Sequence, residues 1–168
     1  MQKDYSENRA KSLRQLDGLR VEINCAKKIG FIILERPPLN IISYDGREQI
    51  RAIIEQMDRD PDVAVIVIRG ANGVFTSGGD VKAFPDIPFD GMSDLAWNIG
   101  APERTTKPVI AALEKYAFGV GFELAMACDF RLATKETLIA LPEINLGEMP
   151  GSGGSVRVAK IAGLTRAK

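Results

Sequence analysis

Residues 63–80 read VAVIVIRGANGVFTSGGD, and this stretch decides the fold. Residues 63–68 are almost wholly apolar, which is typical of a strand buried on both faces in a parallel sheet flanked by helices. Residues 70–80 are rich in Gly, Ser and Asn and are typical of a loop. A buried strand that leads into a glycine-rich loop therefore predicts an α/β fold for the surrounding chain.

Strand and helix patterns alternate on both sides of this stretch. Apolar or alternating runs predict further strands over residues 19–25, 29–34, 108–113, 130–133 and 138–140. Helices are predicted over residues 43–60, 93–97, 119–128 and 155–162. In the first helix Ile50, Ile53, Ile54 and Met57 fall at the spacing that places apolar groups on one face. Repeated strand-then-helix units predict an α/β fold with right-handed crossovers.

Length and composition fit one soluble domain. The chain has 168 residues, of which 45% are hydrophobic and 26% charged. We expect a polar tail over residues 1–18 and one core domain over residues 19–168. The sequence has no apolar run long enough to span a bilayer, and its polar start lacks the apolar region of a secretory signal, so a cytoplasmic location is expected.

Charge and residue counts exclude several classes of function. Lys plus Arg and Asp plus Glu both number 22, so there is no global electrostatic case for nucleic acid or an anionic membrane. The chain has no histidine, which excludes Ser-His and Cys-His nucleophile pairs and histidine metal sites. Cys25 and Cys128 have no metal-like spacing and form no disulfide framework.

Three glycine-rich turns stand beside predicted strands or helices, at residues 76–80, 119–123 and 150–154. Glycine allows a ligand to approach the backbone, and a helix N-terminus presents free N–H groups, so such turns suit bound anions or developing oxyanions. Each turn is also explained by chain reversal alone, since glycine is a common turn residue. A dinucleotide fingerprint fails because position 124 is leucine, and no turn continues as a phosphate-binding Gly-Lys-Ser/Thr loop.

Two glutamates stand in apolar surroundings near these turns. Glu123 lies in the first turn of a predicted helix, and Glu143 follows Pro142 in an apolar stretch. A carboxyl group among apolar neighbours has a raised pKa and can donate a proton near neutrality. Both residues also have ordinary explanations, a helix-start carboxylate for Glu123 and a solvated loop carboxylate for Glu143. Their spacing in the sequence does not show that they meet.

The order and spacing of five motifs resemble the crotonase family, also called the enoyl-CoA hydratase/isomerase superfamily. The matching segments are residues 36–40 (RPPLN), 75–82 (FTSGGDVK), 107–112 (KPVIAA), 116–125 (YAFGVGFELA) and 141–154 (LPEINLGEMPGSGG). The resemblance covers residue 19 to the C-terminus and is closest to the 2-enoyl-CoA hydratases. It implies a crotonase-like ββα spiral of repeated strand–helix units.

The resemblance also implies roles for particular residues. Glu123 and Glu143 match the two catalytic glutamates, and the backbone N–H groups of Ser77 and Val120 match the oxyanion hole. Family members usually have glycine where this chain has Val120, whose side chain would narrow the pocket or tilt the turn. Residues implied to bind the substrate or its coenzyme A moiety are Asn40, Gly78, Gly79, Asp80, Gly119 and Gly121. Lys27, Lys28 and Lys82 are candidate partners for the coenzyme A phosphates, and each is more simply explained as a solvated surface residue.

The implied activity is hydration of a 2-enoyl-CoA thioester to a 3-hydroxyacyl-CoA, with no metal or redox cofactor because coenzyme A is part of the substrate. The implied partner is an acyl-CoA, with no nucleic acid or membrane. A homotrimer or hexamer is implied for the full-length form. Other crotonase activities remain open, namely enoyl-CoA isomerase, acyl-CoA hydrolase and cyclic dienoyl-CoA hydratase. A non-catalytic crotonase scaffold that binds RNA or assembles other subunits is a further alternative.

The resemblance is still in progress at residue 168. Family members usually continue into further helices that complete the acyl pocket, close over the coenzyme and build trimers. We therefore expect the C-terminal helical region to be missing from this chain and the apolar face that it would cover to be exposed.

Overall fold

A computed structural model describes residues 15–86 and 93–168 of the chain. The strands are β1 (Leu19–Asn24), β2 (Ile29–Leu34), β3 (Val65–Gly70), β4 (Val109–Leu113), β5 (Tyr116–Phe118), β6 (Phe130–Ala133) and β7 (Leu138–Ala140). The α-helices are α1 (Tyr44–Arg59), α2 (Asp94–Ile99), α3 (Val120–Ala127), α4 (Gly154–Ala162) and α5 (Leu164–Ala167). Short 3₁₀ helices cover Val81–Asp86, Ala101–Arg104 and Pro142–Leu146.

The main sheet has five strands in the order β1-β2-β3-β4-β6. β1 and β2 form an antiparallel hairpin, and β2, β3, β4 and β6 are parallel to one another. Parallel strands need crossover connections, which the helices between them supply. This confirms the predicted α/β fold with its repeated strand–helix units.

Helix α1 forms as its sequence predicts. Ser43 is the N-cap, and its side chain accepts a hydrogen bond from the N–H of Gly46. The four predicted core residues of this helix are fully buried in the main apolar core, which also contains side chains of β2 and β3. Burial of four large side chains is worth roughly 1.5–3 kcal/mol each, so this face anchors the helix to the sheet.

Strand β3 is less buried than its sequence predicts. The structure starts it at Val65 rather than residue 63, and burial alternates along it: Ile66, Ile68 and Gly70 are buried while Val65 and Val67 are partly exposed. The expectation of burial on both faces is therefore wrong for the chain as the structure describes it. The reason is that the apolar core lies on one face of the strand, where Ile66 and Ile68 pack with α1 and α3.

A second, two-stranded parallel sheet pairs β5 with β7. The sequence predicted β7 but missed β5, which has only three residues. An isolated bridge joins Thr76 to Ala117 in β5, and the N–H of Gly119 donates to the carbonyl oxygen of Ala140 at 3.0 Å. This small sheet therefore fastens the loop after β3, the start of α3 and the segment after β7 to one another.

The tail predicted over residues 1–18 lies mostly outside the described residues. Its described end, from residue 15, contacts α1: Gln49 donates to the carbonyl oxygen of Gln15, and the N–H of Asp17 donates to Gln49. Ser43 and Arg36 also bond the carboxylate of Asp17. The contacts to Gln49 and Ser43 hold the segment just before β1 against α1, and the contact to Arg36 joins it to the loop after β2.

Exposed large apolar side chains are concentrated in β6, β7, the segment after β7, and α4 and α5. They are Phe130, Leu132, Leu138, Ile139, Ile144, Leu146, Met149, Val156, Ile161 and Leu164, each at least half exposed. This agrees with the expectation of exposed apolar residues in the C-terminal part of the described chain. Within residues 15–86 and 93–168, no helix is long and apolar enough to cross a membrane.

Candidate active site

A cavity of about 580 Å³ opens where the small sheet brings the glycine turns together. Its walls come from α1, the loop after β3, the start of α3 and the segment from Pro142 to Ser152. The residues that line it include Arg47, Ser77, Gly78, Gly79, Phe84, Leu95, Gly119, Val120, Glu123, Glu143, Glu148 and Ser152. Both glutamates singled out by the sequence line this one cavity.

Glu123 is held at the base of the cavity by backbone amides. It lies in the first turn of α3 and is 2% exposed. Its Oε1 accepts hydrogen bonds of 2.8 Å from the N–H of Ser152 and 2.8 Å from the N–H of Gly154, in the third glycine turn. Two amide donors on one oxygen fix the direction of the carboxylate. Glu123 is thereby oriented while its side chain faces the cavity.

Glu143 has a different environment. It lies in the 3₁₀ helix Pro142–Leu146, and its Oε1 is 3.2 Å from the point where a Cβ on Gly119 would stand. Its Oε2 is buried and has no hydrogen-bond partner among the described residues. Burial raises the pKa of Glu143, and the negative charges of Glu123 and Glu148 raise it further. This carboxyl group is therefore biased toward its protonated form.

The two backbone N–H groups that match the oxyanion hole differ in whether they already have a hydrogen-bond acceptor. Val120 begins α3, where an N–H has no acceptor within the helix, and no described carbonyl outside the helix accepts from it. The N–H of Ser77, by contrast, donates to the carbonyl oxygen of Leu39 at 3.0 Å. The cavity thus offers one free amide and one that a ligand oxygen would have to share or take from Leu39.

Three of the residues matched to substrate binding, Asn40, Asp80 and Gly121, do not line the cavity. Asn40 is buried, its Nδ2 donating to the carbonyl oxygens of Ala71 at 2.9 Å and Val74 at 2.6 Å. Asp80 is 3.9 Å from Arg36, and its N–H donates to the carbonyl oxygen of Ile42 at 3.2 Å. These contacts fasten the loop after β3 from behind, rather than from the ligand side.

Gly121 and Gly78 allow close packing of the two site loops. A Cβ on Gly121 would stand 2.1 Å from Cγ2 of Thr76, so only glycine lets α3 approach the loop after β3. Gly78 has φ +117°, a conformation that side chains disfavour, and also lines the cavity. Gly79 and Gly119 line it too. The four glycines therefore shape the site through the backbone.

The candidate lysines separate into two places. Lys27 and Lys28 lie in the β1–β2 turn, at the amino end of β2, whereas the site lies beyond the carboxyl end of β3. β2 and β3 are parallel, so the two lysines lie at the amino ends of these strands, and the cavity lies at the carboxyl ends. Lys27 and Lys28 therefore do not line the cavity, and their pairing with the coenzyme A phosphates stays a prediction. Lys82 follows Val81, which lines the cavity.

Arg47 is a cavity residue that the sequence analysis did not identify. It is 5% exposed, and its Nη1 donates to Oγ of Ser152 at 3.2 Å. A signal was present, since Arg47 stands three residues before Ile50 and seven before Ile54, on the apolar face of α1. A cation on a core-facing stripe indicates a buried polar site.

Fold and site together define an α/β protein in which two acids and a helix-start amide line one cavity. A family model described as enoyl-CoA hydratase/isomerase matches residues 24–168. The chain belongs to this family, as the five sequence motifs predict.

Known proteins support the same assignment. The chain is 38% identical over 146 residues to "Probable enoyl-CoA hydratase echA8" of Mycobacterium leprae, covering 84% of this chain and 56% of that protein. It is 38% identical over 141 residues to "Peroxisomal bifunctional enzyme" of Danio rerio, covering 84% of this chain and 19% of that protein. The solved structure of Pseudomonas aeruginosa DspI superposes with a TM-score of 0.83 at 31% identity, covering 95% of this chain and 67% of DspI.

These matches cover only part of the length of each relative. The chain spans 56% of the mycobacterial relative and 19% of the zebrafish relative. The family resemblance therefore applies to the part of those proteins that this chain matches.

Proposed function

We propose that this chain carries the active site of a 2-enoyl-CoA hydratase, an enzyme that adds water across the double bond of a 2-enoyl-CoA thioester to give a 3-hydroxyacyl-CoA. The observation that carries the proposal is the unequal pair of acids in one cavity. Glu123 accepts two amide hydrogen bonds, while Glu143 has a buried oxygen without a partner and a raised pKa. Two carboxyl groups held in different protonation states supply a base and an acid at the same pH.

In the proposed reaction Glu123 removes a proton from a water molecule, and the water oxygen bonds to C3 of the enoyl group. Electrons of the double bond move onto the thioester oxygen as an enolate. Glu143 gives its proton to C2 as the thioester carbonyl re-forms. The two carboxyl groups then hold each other's starting protonation state, and proton exchange with solvent restores them.

Stabilisation of the enolate oxygen is assigned to backbone amides. The free N–H of Val120 at the start of α3 supports this role, because helix N-termini favour negative charge. The N–H of Ser77 completes the pair if the thioester oxygen replaces or shares it with the carbonyl oxygen of Leu39. Since the donor at position 120 is a backbone group, valine can supply it as glycine would.

The rest of the predicted ligand chemistry follows from this assignment. The acids and amides suffice for hydration, so we propose an enzyme with no metal or redox cofactor, and coenzyme A as part of the substrate. Phe84 and Leu95 give the cavity an apolar wall that suits an acyl chain. The homotrimer or hexamer implied by the family for the full-length form stays a prediction. A cytoplasmic location stays a prediction.

Absorbance of the conjugated enoyl thioester tests the proposal. We expect the purified protein to remove this absorbance from 2-enoyl-CoA and to form 3-hydroxyacyl-CoA, identified by mass as the gain of one water. Migration of the double bond without a mass change would instead indicate an isomerase, and release of free coenzyme A would indicate a hydrolase. Salt-dependent RNA binding without acyl-CoA binding would favour the scaffold alternative.

The pH dependence of this hydration tests the role of Glu143. A general acid must be protonated, so kcat/KM should fall as the pH rises through the raised pKa of Glu143. Glu148→Gln removes one of the negative charges that raise this pKa, and it should move the alkaline fall to lower pH. Glu136→Gln changes an exposed carboxylate in the β6–β7 connection and should leave the profile in place. If Glu148→Gln leaves the alkaline fall in kcat/KM at the same pH, a group other than Glu143 causes that fall.

A further inference from the structure

Arg47 is a buried cation in the cavity wall for which hydration of a simple enoyl group has no use. Its side chain leaves the apolar face of α1 and reaches the cavity while staying 5% exposed. Burial lowers the pKa of Arg47, and the charge of Glu123 raises it. A guanidinium nevertheless stays charged in proteins, so this position holds a buried positive charge.

A buried hydrogen-bond donor of Arg47 has no partner in the described parts of the chain. A guanidinium carries five N–H donors. Nη1 donates to Oγ of Ser152 at 3.2 Å, and Nε is buried without any acceptor. Nη2 lies 2.9 Å from the point where a Cβ on Gly79 would stand, so the group rests against bare backbone of the loop after β3. Buried donors without acceptors are strongly unfavourable unless a ligand satisfies them.

Glu123 is not the missing acceptor. Its Oε1 is bonded to the N–H groups of Ser152 and Gly154, and no hydrogen bond joins it to Arg47. Arg47 and Glu123 instead meet through Ser152, which accepts from Arg47 at its hydroxyl and donates to Glu123 from its amide. The free donor of Arg47 therefore lies one residue away from the proposed base, on the side of the cavity formed by α1.

We propose that Arg47 binds a carboxylate at the far end of the acyl group, so that the preferred substrate is a short 2-enoyl-CoA with a second, free carboxyl group. This rests on the proposed hydratase function. Guanidinium donors form a planar fork that matches both oxygens of a carboxylate. The anion belongs to the acyl group rather than to the coenzyme A phosphates, because Arg47 is next to the base that acts at C3, and the pantetheine arm separates the phosphates from the thioester.

Matched substrates test this specificity directly. The monothioester of 2-pentenedioic acid with coenzyme A and 2-pentenoyl-CoA have the same chain length and differ in the terminal carboxylate. We expect the wild-type protein to prefer the carboxylated substrate in kcat/KM by roughly 100-fold, since a site built for a polar group rejects an analogue that lacks it. Arg47→Met removes charge and donors, and Arg47→Gln keeps a donor for Ser152; both variants should abolish the preference.

Two results would overturn the proposal. One is a wild-type protein that hydrates both substrates equally or prefers 2-pentenoyl-CoA. The other is an equal loss on both substrates in the Arg47 variants, which would make Arg47 a positioning residue that acts on Glu123 through Ser152. Thermal melting checks the fold, and Arg47→Met should melt at or above the wild-type temperature because it removes a buried charge. Arg47→Gln decides the matter if Arg47→Met does not fold.

Binding measurements separate failure of this inference from failure of the hydratase proposal. If neither enoyl-CoA is hydrated, the hydratase function is wrong, and titration calorimetry with saturated pentanedioyl-CoA and pentanoyl-CoA still reports on Arg47. Tighter binding of pentanedioyl-CoA by about tenfold or more, lost in Arg47→Gln, would support the carboxylate site, since charge-assisted hydrogen bonds are worth this much. Equal affinities would exclude it. Coenzyme A alone should bind the wild-type protein and Arg47→Gln with equal affinity. A weaker affinity for coenzyme A in Arg47→Gln would instead place a phosphate at Arg47.

Discussion

Replacing Glu123 with glutamine should reduce kcat for 2-enoyl-CoA hydration by roughly 10³-fold, within the range found for loss of a general base. Glutamine has nearly the same shape, and its amide oxygen can still accept from the N–H groups of Ser152 and Gly154. It cannot remove a proton from water. The loss should therefore appear in kcat, with thermal stability and acyl-CoA binding close to those of the unchanged protein. Absorbance of the enoyl thioester measures the rate.

Glu136→Gln is the matched control for this change. Glu136 is exposed between β6 and β7, outside the cavity lining, and the same replacement there should leave kcat within a factor of about two, as for most surface substitutions. If Glu123→Gln hydrated 2-enoyl-CoA as fast as Glu136→Gln, Glu123 would not be the base.

Glu143→Gln should lower kcat by roughly 10²–10³-fold, because the variant loses the proton donor for C2. Glu143 has few contacts to lose: its Oε2 has no partner among the described residues, and the 3₁₀ helix around it is held by backbone hydrogen bonds. The replacement also removes a negative charge near Glu123. Stability should therefore be unchanged or slightly higher, while hydration slows.

Isotope incorporation checks that the lost step is proton delivery. Hydration in D₂O should place one deuterium at C2 of the product in the unchanged protein, and Glu143→Gln should form this product only at its reduced rate. A Glu143→Gln protein with the full hydration rate would show that another group protonates C2, and the proposed acid would be wrong. Glu136→Gln again provides the control.

Much of the fold could be predicted because its strongest signals are local. The apolar run at residues 63–68 and the helical spacing of Ile50, Ile53, Ile54 and Met57 each identify an element without any tertiary information. Strand β5 was missed because three residues carry too little pattern, and its pairing with β7 depends on the rest of the fold. Partial exposure of Val65 could not be foreseen either, since it depends on what packs against the sheet.

The candidate site also has features that the sequence predicts and features that depend on tertiary structure. Family motifs pointed to Glu123 and Glu143, but their arrangement in one cavity arises from the bridge between Thr76 and Ala117 and from the β5–β7 pairing, which are tertiary features. The bond from Ser77 to Leu39 is likewise a product of the folded backbone. The position of Arg47 on the apolar face of α1 indicates a buried polar site, but only the folded structure shows that this site is the cavity wall.

A crystal structure of the Glu143→Gln protein with bound 2-enoyl-CoA tests most directly whether both acids and both amides act on one thioester. The account predicts the thioester oxygen within about 3 Å of the backbone nitrogens of Val120 and Ser77, with the latter amide turned from Leu39 toward the ligand. It also predicts C3 beside Glu123 and C2 beside position 143. A thioester oxygen that contacts neither amide, or a double bond remote from Glu123, would contradict it.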